Sequence, residues 1–504
     1  MTPLLVGLDV GTTNVKALVY EPDGRAVARA SVPTPTHHPR PGWAFYRAEE
    51  LWEQSAAALR RALAQVDDPR RVAAVAVASM GEAGVTLDAA GLPTGDVIAW
   101  FDTRSQPQAD RLATLVGADE LFARTGLSVQ PIWSLCKMLW LREHEPDAWR
   151  RTVRWLNVAD YVAHRLGGEP ATGHSLASRT LALDVHGRRW DEELIRAAEL
   201  DPALLPPLLP EGTAVGGVSP DVARLTGLPA GATIGVGGHD HLCGALAAGV
   251  TEPGAMLESL GTTDTMLLAT DRPLTDPLLG RQGYSQGAHV VPDRWYVYGG
   301  QYTFGASIEW FLATFGGDGL DALIAEASSV PAGSHGVAFL PHLRLANPPH
   351  VDPASRGAFV GLSTFAGRPV LFRALLEGLG FEARNALDPL LALAGIEAPT
   401  DGRAIGGVTR NRLLMEIRAS TRGAPIDVLD LDEATALGAA VLGGLAAGVY
   451  RDAPDALATL RYARTRVEPV AEDVPRYDRL YRTVHQRLYP ALAPLSHALA
   501  AEGA

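Results

Sequence analysis

The sequence predicts an α/β protein built from two copies of one domain. A chain of 504 residues is too long for one compact core, so two domains, each with its own interior, are expected. Short apolar runs alternate with segments of helical period, the pattern of sheets covered by helices. Gly11-Thr12-Thr13, inside "GLDVGTTNVKALVY", returns as Gly261-Thr262-Thr263 inside "ESLGTTDTMLLAT", with strand-like runs on both sides each time.

Taken in order, residues 4–9 are an apolar run ending in Asp9, the glycine turn follows, and residues 15–20 form the next strand. Pro22-Asp23-Gly24 is a turn into a third strand over residues 26–32. Leu51, Trp52, Ser55, Leu59 and Leu63 follow helical spacing. "VAAVAVAS", from Val72, is short and apolar with β-branched residues, hence a buried strand. The second half opens the same way, with strands over 255–260, 265–269 and 296–298. The boundary falls near residues 246–254, around "GVTEPG". This divides the chain into an N-terminal domain (1–248), a C-terminal domain (249–450) and a helical extension (451–504). Tyr477, Leu480, Tyr481, Val484 and Leu488 mark an amphipathic helix in that extension.

Composition excludes several classes. Apolar residues make up 47% and charged residues 20%, which is ordinary globular chemistry and not that of a disordered chain. A formal charge of -13 argues against general affinity for nucleic acid or an anionic membrane. Cys136 and Cys243 sit among apolar neighbours without metal-type spacing to histidines, so both read as buried thiols. The first residues carry no basic leader and place Asp9 where a signal peptide needs apolar residues. The longest uncharged stretch, 434–450, is mostly Ala and Gly and too weakly hydrophobic to span a bilayer; a cytoplasmic protein is expected.

The repeated turn carries chemistry. Small residues let backbone N–H groups approach an anion, and threonine hydroxyls add donors, so two such bends facing each other would clamp a polyphosphate. The copies differ: Asp9 and Lys16 flank the first, whereas Ser259 and Met266 stand at the matching offsets of the second. Only the first offers a metal-ligating carboxylate and a cation.

With further segments added, the chain resembles the FGGY family of carbohydrate kinases, within the superfamily of sugar kinases, actin and heat-shock ATPases. "SLCKMLWLREH" at 134–144 is similar to a family signature, with Lys137, Trp140 and Leu141 in register. "GHDHLCGALAAG" at 238–249 resembles the segment that carries the family's catalytic aspartate. "GASIEW" at 305–310 and the segment 406–443 resemble the nucleotide-binding half. The resemblance implies two duplicated ribonuclease-H-like domains with an interdomain cleft. It implies ATP- and Mg²⁺-dependent phosphorylation of a hydroxyl on a small sugar or polyol, and it leaves the oligomeric state open, a homodimer included.

Phosphoryl transfer needs positioning and charge neutralisation, and the resemblance assigns each part to residues of this sequence. Asp240 matches the base and lies near the metal, although an aspartate there also suits the N-cap of the following helix. Asp9 resembles the residue that holds Mg²⁺, its bland alternative being a turn-stabilising aspartate. Thr12, Thr13, Asn14 and Lys16 would contact phosphates from one half, Gly261 and Thr262 from the other; Lys16 alone also suits a solvated strand lysine. Gly305, Gly407 and Asn411 are carried over for the nucleoside.

The acceptor loop is "VASMGEAGVTLD" at 77–88, and "IAWFDTR" at 98–104 resembles the opposite wall. Xylulokinases carry Met-His where this chain has Gly81-Glu82; Glu82 aligns with a glycerol-kinase-like acid, but the arginine before it there is Gly81 here. A carboxylate in the cleft would accept hydrogen bonds from vicinal hydroxyls, and Trp100 would pack against sugar carbons; a surface-loop glutamate and a core tryptophan are the alternatives. His241 stands where relatives have Asn or Gln. Leu345-Ala346-Asn347 replaces a Gly-Glu-Arg run, a departure from the named subfamilies. The acceptor is thus expected to be a ketopentose such as xylulose or a related ketose or polyol, with glycerol or a tetritol as the alternative. A competing class, the actin- or heat-shock-like nucleotide switch with no small acceptor, shares the turns but not the Asp240 segment or the 134–144 signature.

Overall fold

The computed structural model describes residues 2–316 and 319–502. Its first half is laid on a six-stranded sheet in the order Ala214–Gly217, Thr233–His239, Val72–Ser79, Leu4–Val10, Asn14–Tyr20, Ala26–Pro33. The second half repeats it on a seven-stranded sheet in the order Ser285–Ala288, Trp295–Gln301, Asp264–Thr270, Ala255–Leu260, Asp401–Ile405, Ile426–Leu429, Arg464–Val467. The central strand of each half pairs antiparallel with the strand that follows its Gly-Thr-Thr turn. On its other side it pairs parallel with a strand from later in the chain, Val72–Ser79 or Asp401–Ile405. A tight bend suffices for the first pairing, whereas the second needs a crossover with helices. The repeat read in the sequence is thus one topology used twice, and the fold is the doubled ribonuclease-H-like architecture expected.

Leu4–Val10 is buried almost throughout because both its faces are covered. Helix Ala48–Leu63 presents Leu51, Trp52 and Leu59 to one core. The other face is covered by Ala434–Ala446, a helix of the second half that packs on Leu4–Val10, Val72–Ser79 and Thr233–His239. Helix Asp240–Ala247 lies along it, and one apolar cluster joins both helices to Leu257, Leu267 and Tyr296 of the second sheet. The small residues at 434–446 serve this close approach. A Cβ added at Gly438 would stand 1.9 Å from the Cys243 carbonyl oxygen, and one at Gly7 would stand 1.8 Å from that of Ala436. Among the described residues no helix is long and apolar enough to cross a membrane. Gly438→Val is therefore expected to destabilise the protein by about 3 kcal/mol, the upper end for overpacking, because the obstacle is backbone. An unchanged urea midpoint would show that the two helices can part without cost.

The segment 451–504 departs from a purely helical extension. Arg464–Val467 pairs antiparallel with Ile426–Leu429 as the edge of the second sheet. Helices Val474–Leu480 and Gln486–Glu502 follow, joined by a wider π turn over Tyr481–His485. That turn shifts the inward face by about one residue. Tyr477, Tyr481 and Leu488 are buried as the spacing predicts, but His485 takes the place expected of Val484 and meets Glu382 at 2.9 Å.

Candidate active site

The three parallel strands of the first sheet end together: Val10 lies opposite Ser79, and Ser79 opposite His239. Their carboxyl ends bring Asp9, the loop after Ser79, and Asp240 to one edge, where open α/β sheets bind ligands. Asp9 Oδ1 is buried and has no partner among the described residues. Burial first, then the neighbouring Asp240 charge, push its pKa up to about 8, with Lys16 pulling the other way. Asp240 is the first residue of its helix; its Oδ1 accepts the His241 N–H at 2.6 Å and lies 3.3 Å from His239 Nε2. The N-cap is His239 and no side chain caps this helix, so Asp240 is not the capping aspartate its position suggested; its side chain is 27% exposed and the carboxylate is accessible. Burial first, then Arg179 and His241, hold the His239 imidazole well below its ordinary pKa.

The first turn is pinned from outside: Thr34 donates from its hydroxyl to Gly11 O at 2.8 Å and from its N–H to Thr13 O at 2.9 Å. Thr13 is exposed and Asn14 partly so. Thr12 Oγ1 accepts from Trp100 Nε1 at 2.8 Å, which ties the acceptor wall to the turn. Lys16 Nζ donates to Glu433 Oε2 at 2.7 Å, joining the two halves, so its charge is shared with a partner that sequence reasoning did not foresee.

The loop after Ser79, expected to bind the acceptor, is unusual. Glu82 has φ of 61°, left-handed backbone that costs a non-glycine residue about 1 kcal/mol or more. Its carbonyl is held there by Lys137 Nζ at 3.1 Å and Ser134 Oγ at 3.2 Å. Lys137 also donates to Ala99 O at 2.9 Å and Trp100 O at 3.4 Å, so one buried ammonium pins both acceptor segments. Burial pulls its pKa down to about 7 against the opposing pull of Glu82. This gives the signature lysine a physical task. The Glu82 carboxylate is not a free surface group: Oε1 accepts from Arg179 Nε at 2.6 Å and lies 2.5 Å from a terminal guanidinium nitrogen. Arg179 also donates to the Tyr298 hydroxyl from the second half, and His241 stacks obliquely on Tyr298 at 6.2 Å. Neither Arg179 nor Tyr298 was flagged by the sequence, since both lie in ordinary-looking segments.

In the second half, Gly261 N–H donates to Thr263 O at 2.9 Å, and Thr262 O accepts from Phe304 N–H at 3.1 Å. Gly305 opens helix Gly305–Phe315 directly against this turn; a Cβ there would lie 2.4 Å from Gly261 O. Asn411 caps helix Arg412–Arg422 through Oδ1 to Leu414 N–H at 3.1 Å, leaving Nδ2 buried without a partner among the described residues. Gly407 faces open space: a Cβ there would meet nothing within 4 Å. Arg418 lies beneath the turn between Glu258 Oε2 at 2.9 Å and Asp264 Oδ2 at 2.6 Å, on the strands that enter and leave it. The only hint of this network in the sequence is a pair of acids in otherwise apolar strands. The first group of residues is thus contiguous through Trp100, Arg179 and His239, and the second through Gly261 and Gly305.

A doubled sheet, a second-half helix packed on the first sheet, acids at the edge of that sheet and a hydroxyl-rich turn in each half make up the two-domain actin-like ATPase fold. The chain belongs to the FGGY family of carbohydrate kinases: the family's N-terminal domain matches residues 4–247 and its C-terminal domain residues 256–447. It is 28% identical to a xylulose kinase from Bacillus subtilis (strain 168), covering 98% of both chains. It is 31% identical to a glycerol kinase from Ralstonia nicotianae, covering 93% of this chain and 95% of that one. Among solved structures, a xylulose kinase from Rhodospirillum rubrum superposes with a TM-score of 0.88 at 29% identity, covering 98% of this chain and 100% of the other. The protein is therefore a kinase acting on an alcohol group.

Proposed function

We propose that the protein transfers the terminal phosphoryl group of ATP, with Mg²⁺, to a hydroxyl of a ketopentose or a related small ketose or polyol. The observation that carries this reading is the accessible Asp240 carboxylate at the edge of the first sheet, in one contiguous group with the Glu82 loop and the Thr12 turn. Asp240 accepts the proton of the attacking hydroxyl. Gly81, Glu82, Trp100 and His241 bind the acceptor. Thr12, Thr13, Asn14 and Lys16 hold the phosphates from one half and Gly261 and Thr262 from the other. Gly305, the open face of Gly407 and the unpaired amide of Asn411 receive the nucleoside.

The residues fit Mg²⁺. Asp9 Oδ1 is a buried carboxylate oxygen without a protein partner, and Asp240 is its acidic neighbour. Mg²⁺ characteristically takes one or two carboxylates and completes its shell with water and substrate phosphates. Bound there, the ion neutralises charge on the transferring phosphates.

Glu82 favours a second acceptor class, glycerol or a tetritol, because an acid stands in that place in glycerol-kinase-like relatives. Coupled ADP release with Mg-ATP across ketoses, deoxysugars, glycerol and tetritols separates the two, and one strongly responding acceptor is expected. ADP release at the same rate with every acceptor and with none would point instead to a nucleotide switch.

A further inference from the structure

The acceptor loop holds an arginine that arrives from a different part of the chain. Gly81 leaves a space beside Glu82, and the Arg179 stem fills it: a Cβ added at Gly81 would lie 2.9 Å from Arg179 Cγ and 3.0 Å from His239 Cδ2. From there the guanidinium takes Oε1 of Glu82 with two nitrogens. Its plane is set by the Trp133 ring, 4.7 Å from Cζ, and the Tyr298 ring, 5.0 Å away, while the Tyr298 hydroxyl accepts from its tip. Arg179 is 3% exposed and Glu82 4%, so neither reorients without unpacking its surroundings. The hydrogen bond and the ion pair of the Glu82 carboxylate both fall on Oε1, not Oε2, and only 6% of that side chain meets solvent.

We propose that Arg179 is the residue that sets acceptor specificity, acting through Glu82: it commits Oε1 and leaves Oε2 for one hydroxyl of the acceptor. A charge-assisted hydrogen bond from a packed, buried guanidinium holds that one carboxylate oxygen in place, which a lone glutamate on a loop lacks. The contact to Tyr298 makes the second half part of the same pocket wall, so the acceptor pocket is complete only when both halves are in this arrangement. Gly81 is required because any side chain there displaces the arginine.

This inference rests on the acceptor-kinase reading. The test is steady-state kinetics of the full-length enzyme with the best acceptor of the panel above. Arg179→Ala is expected to raise the acceptor KM at least about tenfold, with the ATP KM unchanged within about twofold, the split that marks lost acceptor binding. Arg179→Lys, which keeps the stem and the charge but not the planar guanidinium, should fall between wild type and Arg179→Ala. Gly81→Val, which alters no charged group, should copy the acceptor KM of Arg179→Ala. Should Arg179→Ala fail to fold, Arg179→Lys and Gly81→Val carry the same comparison, together with Tyr298→Phe, which removes one contact of the guanidinium and should give a smaller rise. Acceptor KM values at the wild-type level in the folded variants, or rises matched by the ATP KM, would overturn the inference. A wild-type enzyme that phosphorylates no acceptor would instead sink the reading beneath it.

Discussion

Asp240→Asn is expected to lower kcat by about a hundred- to ten-thousand-fold, the contribution of a positioned general base. The substitution is close to isosteric, and the amide oxygen can still accept the His241 N–H that Oδ1 accepts now, so the start of the helix should hold. The denaturation midpoint is therefore expected to stay near wild type while turnover collapses. That pairing distinguishes a lost base from a lost fold. Acceptor and ATP KM values should move far less than kcat, because the proton is transferred in the transition state and not on binding. An Asp240→Asn enzyme with wild-type turnover would remove the residue from the chemistry and leave it only as the first residue of its helix.

How far the sequence could be read follows from what each feature depends on. The two central strands and the bends after them were legible because burial on both faces writes itself as apolar runs, and the repeated Gly-Thr-Thr marks the same point in each copy. The small residues at 434–446 were legible as too weakly hydrophobic to span a bilayer, and the Gly438–Cys243 approach shows that they serve close helix packing. The pairing partners were not legible. Lys16 with Glu433, Glu82 with Arg179, and Arg179 with Tyr298 are far apart in sequence, and a buried charge looks like a surface charge until its partner is known. Glu82 is the clearest case: an acid in a loop suggested either a hydroxyl acceptor or a solvated side chain, and the fold makes it a clamped, nearly buried carboxylate with one oxygen to spare. The inward turn of His485 was missed for a different reason, since a π turn breaks the period on which the reading relied.

The largest stability loss outside the helix interface is expected at Arg418→Met. Arg418 is 2% exposed and is the common partner of Glu258 and Asp264, so the variant leaves buried Asp264 without a cation and Glu258 with Arg422 alone, a loss of about 3–5 kcal/mol. Arg422 reaches only Glu258, at 3.4 Å, and cannot replace it at Asp264. Burial already holds Asp264 above the ordinary aspartate range despite Arg418. A raised folded-state pKa means that the native protein binds the proton more tightly than the unfolded chain, so the stabilisation is lost as pH rises. With the arginine gone the shift grows, and Arg418→Met should therefore be more severe at pH 7 than at pH 5 in urea titrations. Adding Asp264→Asn and Glu258→Gln to Arg418→Met should restore a large part of the loss, because the penalty lies in uncompensated charge and not in lost volume. If the triple variant is no more stable than Arg418→Met, packing and not electrostatics governs this network. The two acids frame Gly261-Thr262-Thr263, so a folded Arg418→Met enzyme should also show a higher KM for ATP while its acceptor KM is unchanged, the reverse of the split expected at Arg179.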